Sequence, residues 1–369
     1  MSSIRSVGDI SIMKKHLVIS AGAMVCCASA MAQNSVTIYG SLGDSIAYSS
    51  NEHGSHRVFM GGGTTPEWIG FTGTEDLGGG LKALFKLEEG IITASGSSTI
   101  PGEMFSRQSY VGLQNNFGKI TLGRQFDITN EMIMPLASGY NTTIYQLYHI
   151  ANVDDIGSTF FNNGIKYTSP DYRGFTTSVM YGFDDPSTQP GRYLGAGVTY
   201  NNGPLRAAFV YSAVHDRAIA LNSKVGYTEF AGENLIPGGN FIAESQESMH
   251  AFGMYTFNQS WMVHAGYSHV HFVAQSGTTE NMDVGEGGAN WHTSAFNVIA
   301  GAVSYQHVND TNYYTAGLSD VYFLSKRTQL FVSTVYQHTT GQGTAAMAML
   351  APSSTHSQFA AYMGTQLFF

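Results

Sequence analysis

The stretch Leu81-Lys82-Ala83-Leu84-Phe85-Lys86-Leu87-Glu88 decides the fold. Leu81, Ala83, Phe85 and Leu87 fall on one side of an extended chain, and Lys82, Lys86 and Glu88 fall on the other. A period of two with one apolar face is the pattern of a strand between two unlike environments. The same alternation recurs downstream. Phe175, Thr177, Val179, Tyr181 and Phe183 share a face, as do Leu194, Ala196, Val198 and Tyr200, then Leu205, Ala207, Phe209 and Tyr211. Helical periodicity is almost absent, so the chain reads as all-β.

Between the strands, turns fall at a steady spacing. Leu77-Gly78-Gly79-Gly80, Asn115-Asn116-Phe117-Gly118, Asn201-Asn202-Gly203-Pro204 and Asn258-Gln259-Ser260 are tight connections. On alternate sides the connections lengthen, near 50–65, 91–104, 128–159, 216–246, 274–290 and 339–355. The count is about 16 strands, from 34–48 to 357–369, with two assigned to 288–298 and 300–309. Short turns at one end and long loops at the other belong to an antiparallel transmembrane β-barrel. Tyr39, Tyr48, Tyr110, Tyr167, Tyr200, Tyr255 and Tyr336 sit near strand ends, as girdle aromatics do, and the sequence finishes on Leu367-Phe368-Phe369. A β-sandwich would alternate in the same way but explains neither the girdle nor the leader described next.

Residues 1–32 form a separate segment. Lys14, Lys15 and His16 precede the short apolar run Leu17–Ala28, and Ala30-Met31-Ala32 supplies a small-x-small cleavage pattern. This reads as an export signal cleaved before Gln33, with Met13 a second candidate start, leaving 33–369 as one barrel domain. Cys26 and Cys27 both lie in the leader, so the exported chain has no disulfide, thiolate metal site or cysteine nucleophile. The formal net charge is −9 and becomes more negative once Arg5, Lys14 and Lys15 leave with only Asp9. Nucleic-acid binding, which wants a basic face, is excluded. An acidic chain suits a lipopolysaccharide-bearing surface when divalent cations bridge the acids.

Several segments resemble the trimeric porins of Gram-negative bacteria, especially the β-proteobacterial general diffusion porins. They are Glu67-Trp68-Ile69-Gly70-Phe71-Thr72-Gly73-Thr74-Glu75-Asp76-Leu77, Arg107-Gln108-Ser109-Tyr110-Val111-Gly112-Leu113, Thr121-Leu122-Gly123-Arg124-Gln125-Phe126-Asp127, Asn162-Asn163-Gly164-Ile165-Lys166-Tyr167 and Leu324-Ser325-Lys326-Arg327-Thr328. The likeness runs in order from Val36 to Phe369. It implies a 16-stranded barrel assembled as a homotrimer in the outer membrane, with the third extracellular loop, about Ile128–Thr159, folded into the pore. Small hydrophilic solutes and ions would pass, no cofactor or metal is implied, and outer-membrane lipid and lipopolysaccharide would surround the barrel.

In that family loop acids face wall bases across the constriction. By position the acids here are Asp127, Glu131, Asp154 and Asp155, and the lumen-face bases are Lys82, Lys86, Arg107, Lys166 and Arg206. The chain departs from the family where Trp68 and Thr72 replace basic residues and where Phe160 or Phe161 stands in place of an arginine. Arg107 is the arginine clearly kept. The expected constriction is therefore aromatic, with weakened anion selectivity. A substrate-specific outer-membrane channel is the alternative. An outer-membrane hydrolase is disfavoured because His264 alternates to the opposite face from His269 and His271, with no Gly-x-Ser-x-Gly element. An adhesin or autotransporter barrel would need a passenger region ahead of the first strand.

Overall fold

A computed structural model describes residues 35–142, 149–157, 159–185 and 191–369. The leader read at 1–32, with Met13 and both cysteines, lies outside the described residues. Sixteen long strands follow one another: β1 Ser35–Glu52, β2 Trp68–Gly78, β3 Leu81–Ile92, β4 Gln108–Asn115, β5 Gly118–Phe126, β6 Phe160–Thr168, β7 Phe175–Gly182, β8 Tyr193–Asn202, β9 Leu205–Ile219, β10 Phe241–Thr256, β11 Trp261–Ala274, β12 Thr279–Ser294, β13 Asn297–Val308, β14 Thr311–Phe323, β15 Thr328–Gly341 and β16 Ser357–Phe368. Every neighbour pair is antiparallel, and β1 closes the barrel by pairing on both sides. Its first half, Ser35–Ser41, lies against β2, and Ser41–Ser49 lies against β16. A short strand, Ser55–Met60, folds back on the upper part of β1. Among the described residues no helix is long and apolar enough to cross a membrane; the strands cross it. Closure is obligatory there, because lipid gives an open sheet edge no hydrogen-bond partner.

The turns form where the sequence supplies their chemistry. Asn258 Oδ1 accepts the N–H groups of Ser260 (2.8 Å) and Trp261 (3.0 Å), folding β10 back into β11. Gly203 takes φ +59° between β8 and β9, a conformation side chains disfavour. The long-loop expectation fails at 274–290. There β12 begins at Thr279, and only 275–278 connects it to β11. The strand assigned to 288–298 thus starts nine residues late, because the outward positions Asn281, Asp283, Gly285, Gly287 and Ala289 lack the large apolar residues that mark its neighbours.

Side chains are sorted in reverse of a soluble protein. Leu318, Val303, Met363 and Phe209 stand outward, 50–60% exposed, while Ser304, Gln306, Ser319, Ser333, Gln337 and Gln366 point inward and are buried. Tyr48, Tyr167, Tyr200, Tyr255 and Tyr336 lie on the outward face as girdle residues. Tyr39 and Tyr110 do not. Register puts them with Gly70 and Lys86 on the lumen wall, because alternation along the strand, not nearness to its end, sets the face. Loops close over the extracellular end. Leu221, Val225, Tyr227 and Phe230 of the 220–240 loop join Ile150, Val153 and Ala346 in one buried apolar cluster.

This sorting predicts two unequal outcomes for one substitution type. Leu318→Arg, outward and mid-strand, should cost about 2–4 kcal/mol of stability in lipid vesicles. Thr72→Arg, on the lumen wall, should cost far less. Urea unfolding of both variants checks it, and equal losses would contradict the assigned faces.

Candidate functional site

The loop from Asp127 to Thr159 turns inward and is fastened to the wall. Its first helical turn, Ile128–Met132, starts where Asp127 Oδ1 accepts the Asn130 N–H at 2.7 Å. Short helical turns follow at Met134–Leu136, Ser138–Asn141 and Ile150–Asn152; residues 143–148 and 158 lie outside the described set. A loop buried inside a barrel has backbone groups to satisfy, and inward polar side chains satisfy them. Tyr193 Oη of β8 accepts the Ile128 N–H (3.1 Å), and Glu286 of β12 accepts the Ser138 N–H (2.7 Å). Gln306 of β13 accepts the Ile150 N–H (2.9 Å). In the other sense, Gln246 of β10 donates to Val153 O (2.7 Å), Asn290 of β12 to Asn141 O (2.7 Å) and Ser319 of β14 to Thr142 O (2.6 Å). The loop therefore leans on the half of the wall from β8 to β14.

Charge fixes it further. Both terminal guanidinium nitrogens of Arg217 on β9 grip Asp155, with Nη1 to Oδ2 at 2.7 Å. His149, wholly buried, lies between Asp154 of its own loop and Glu286 of the wall, 3.2 Å from the Glu286 oxygen. Burial alone would push the imidazole pKa down, but the two carboxylates override it and raise it to about 10. The same contact holds Asp154 below its usual range against its own burial. Asp127 is pushed well above the carboxylate range, first by burial and then by the nearby Asp155.

Three of the four candidate acids, Asp127, Asp154 and Asp155, are thus fully buried, engaged in a helix cap, His149 and Arg217 respectively. Glu131 is the partly exposed one, paired to Lys166 of β6. Burial works against its charge, yet Lys166, Lys119 and Lys86 hold its carboxyl below the usual range. Lys119 was missed in the sequence. Strict alternation along β5 through Lys119, Thr121, Gly123 and Gln125 would have found it, had Arg124 not blurred the pattern.

The remaining bases divide by height. Lys86 stands on the lumen wall opposite Thr72 and Tyr110, its Nζ 3.5 Å from Glu88 and 5.5 Å over the Tyr39 ring. Lys166 also donates to Phe126 O at 3.1 Å. Lys82 and Arg206 are exposed beside the tight turns, away from the loop. Arg107, just before β4, packs its guanidinium 4.9 Å from the Trp68 ring, 5.3 Å from Phe126 and 5.6 Å from Phe160. Trp68, Phe126 and Phe160 thus cluster round Arg107. His264 turns inward, its Nδ1 3.1 Å from Ser138 Oγ in the loop seam, whereas His269 and His271 face outward.

The seam has a defined pH window. The His149 contribution is complete below the ordinary histidine range and is lost as pH rises through about 10. Asp154's contribution is present above the ordinary carboxylate range and is lost as pH falls through its lowered value. Protease cleavage of the inward loop should rise above pH 10, and His149→Gln should abolish that step. Arg217→Met, which strands a buried Asp155, should cost the loop's seating about 3–5 kcal/mol and raise single-channel conductance. Unchanged cleavage and conductance would refute the fastening.

Comparison with known proteins agrees with this architecture. The family model described as Gram-negative porin matches residues 19–342. Outer membrane porin protein 32 of Delftia acidovorans is 37% identical over 209 residues, which is 53% of this chain and 58% of that protein; the alignment spans little more than half of the relative. The fold is shared with an anion-selective porin from Comamonas acidovorans, with a TM-score of 0.77 at 24% identity over 91% of this chain and all of that one. It is also shared with OmpT of Vibrio cholerae in its trimer form, with a TM-score of 0.68 at 15% identity over 91% of this chain and 99% of that one.

Proposed function

Because the chain belongs to the Gram-negative porin family, we propose that it is a passive diffusion channel of the outer membrane for small hydrophilic solutes and ions. One observation carries the reading. A loop pinned by side chains from β8 to β14 folds into a barrel lined by polar side chains and leaves Glu131 facing the lysines of β3, β5 and β6. That arrangement narrows the lumen and sets fixed charges in a region of low dielectric, which is how a pore selects.

The charges also set the proposed selectivity. Lys86 stands beside Glu88 and Lys166 beside Glu131, so two of the three lysines that Glu131 faces have an acid next to them. Aromatic rings surround Arg107. The wall should therefore prefer anions only weakly, although a protein of the same fold is an anion-selective porin. The chain is read as a homotrimer, with the apolar outer face of β2 to β5 (Phe85, Val111, Leu113, Leu122) turned toward its neighbours.

Reversal potentials across a potassium chloride gradient in a planar bilayer test this. The expected anion-to-cation permeability ratio lies near unity, Glu131→Gln should raise it several-fold, and Lys86→Glu should invert it. A wild-type ratio above about ten would refute weak selectivity, and a closed bilayer would refute the channel. Conductance that saturates with one solute would favour a substrate-specific channel instead.

A further inference from the structure

The half of the wall that the large loop leaves free is itself divided. Lumen-facing positions in this barrel are mostly serine, glutamine and threonine, yet β15, β16 and β1 depart from that rule. Register sets Val335 beside Ala360 and Ala47 beside Tyr362 on their inward faces, with Phe331 one row lower. None of the five is more than 5% exposed. Apolar side chains that face a lumen lined by polar groups need cover. Phe59, Met347 and Leu350 supply it, packed with them in one cluster, and the Phe59 ring stands edge-on to Tyr362 at 6.3 Å. By contrast Trp68, Thr72, Lys86, Tyr110 and Lys119, inward on β2 to β5, are all partly exposed.

Below Phe59 the cover continues as bare backbone. Gly63 lies so flat on β1 and β16 that a Cβ there would meet Gln366 Oε1 at 1.7 Å, and one at Gly43 would meet the Gly63 Cα at 2.9 Å. Neither glycine has a left-handed φ, so close approach is what requires them. Wall side chains fasten this segment as they fasten the large loop. Gln366 Oε1 accepts the Thr64 N–H (2.9 Å), and Gln329 Nε2 donates to Thr64 Oγ1 (2.5 Å). The Gly61 N–H reaches Ser45 O (2.9 Å). Glu67 Oε1 accepts the Gly63 N–H (3.0 Å), which closes the segment just before Trp68.

We propose that segment 55–67 is a second constriction element, which together with the large loop confines the permeation path to a crescent along β2 to β6. The large loop leans on β8 to β14, and this segment covers β15, β16 and β1. A permeating ion is thereby held near Lys86, Lys119 and Tyr110, where fixed charges act over about 10 Å in 0.1 M salt. This second element presupposes the channel reading. It adds that the hold of those lysines on passing ions is set by backbone seated on β1 and β16.

Planar-bilayer recordings of Gly63→Val test it, because the added side chain lifts the segment and leaves every lumen charge in place. Single-channel conductance should rise about twofold. Lys86→Glu should then shift the anion-to-cation permeability ratio roughly half as far in the Gly63→Val background as in wild type, since ions gain a path along β15 to β1. Gln329→Leu, which removes the donor to Thr64 and touches no charge, should act in the same direction more weakly. Heat-resistant migration in electrophoresis identifies the variants whose barrels have folded. Unchanged conductance in the folded variants would overturn the second constriction. Raised conductance with a full Lys86→Glu shift would overturn the crescent. A wild type that conducts nothing would sink the channel reading, and this inference with it.

Discussion

Everything in this molecule depends on the need to pair backbone N–H and C=O groups where no water reaches them. A transmembrane sheet meets that need only by closing, and closure falls to β1, which lies against β2 with its first half and β16 with its second. Once the ring is closed, each strand has one face in lipid and one in the lumen. The apolar residues go outward and the serines, glutamines and threonines inward. The reversed sorting is thus a result of the hydrogen-bonding constraint.

The inward polar surface then solves a second problem. A loop of some thirty residues inside the barrel brings its own backbone groups away from bulk water, and the wall answers them with amide, hydroxyl and carboxylate side chains from β8, β10, β12, β13 and β14, while β9 and β11 hold loop side chains. Buried acids that would be costly alone are held by Arg217 and His149. The result is a lumen divided by function. One half of the wall carries the loop, and the other presents lysines and aromatic rings to whatever passes.

Strands were legible in the sequence because a period of two survives every local detail, and the edges of β3, β7 and β8 fall within a few residues of their alternating segments. The pattern failed where the outward face had nothing large to show. In β12 Gly285, Gly287 and Ala289 hide a strand whose inward residues are ordinary. Tyr39 and Tyr110 were misplaced for a related reason: an aromatic near a strand end satisfies the girdle pattern whichever way it points. The site was legible by face but not by depth. Alternation put Lys86 and Lys166 on the wall, yet it could not show that Asp127, Asp154 and Asp155 would be sealed beneath the loop. Burial there depends on side chains that arrive from β9 and β12, far along the chain.

The apolar cluster at the extracellular mouth joins parts of the molecule that face different pressures. Leu221, Val225 and Phe230 belong to a loop presented at the cell exterior, and Ile150 and Val153 belong to the loop that divides the lumen. Any change selected on the outer loop is transmitted, through shared packing, to the loop that folds into the lumen. Outer surface and lumen are mechanically linked in such a protein, and the outer loop can vary only as far as the packing beneath it allows.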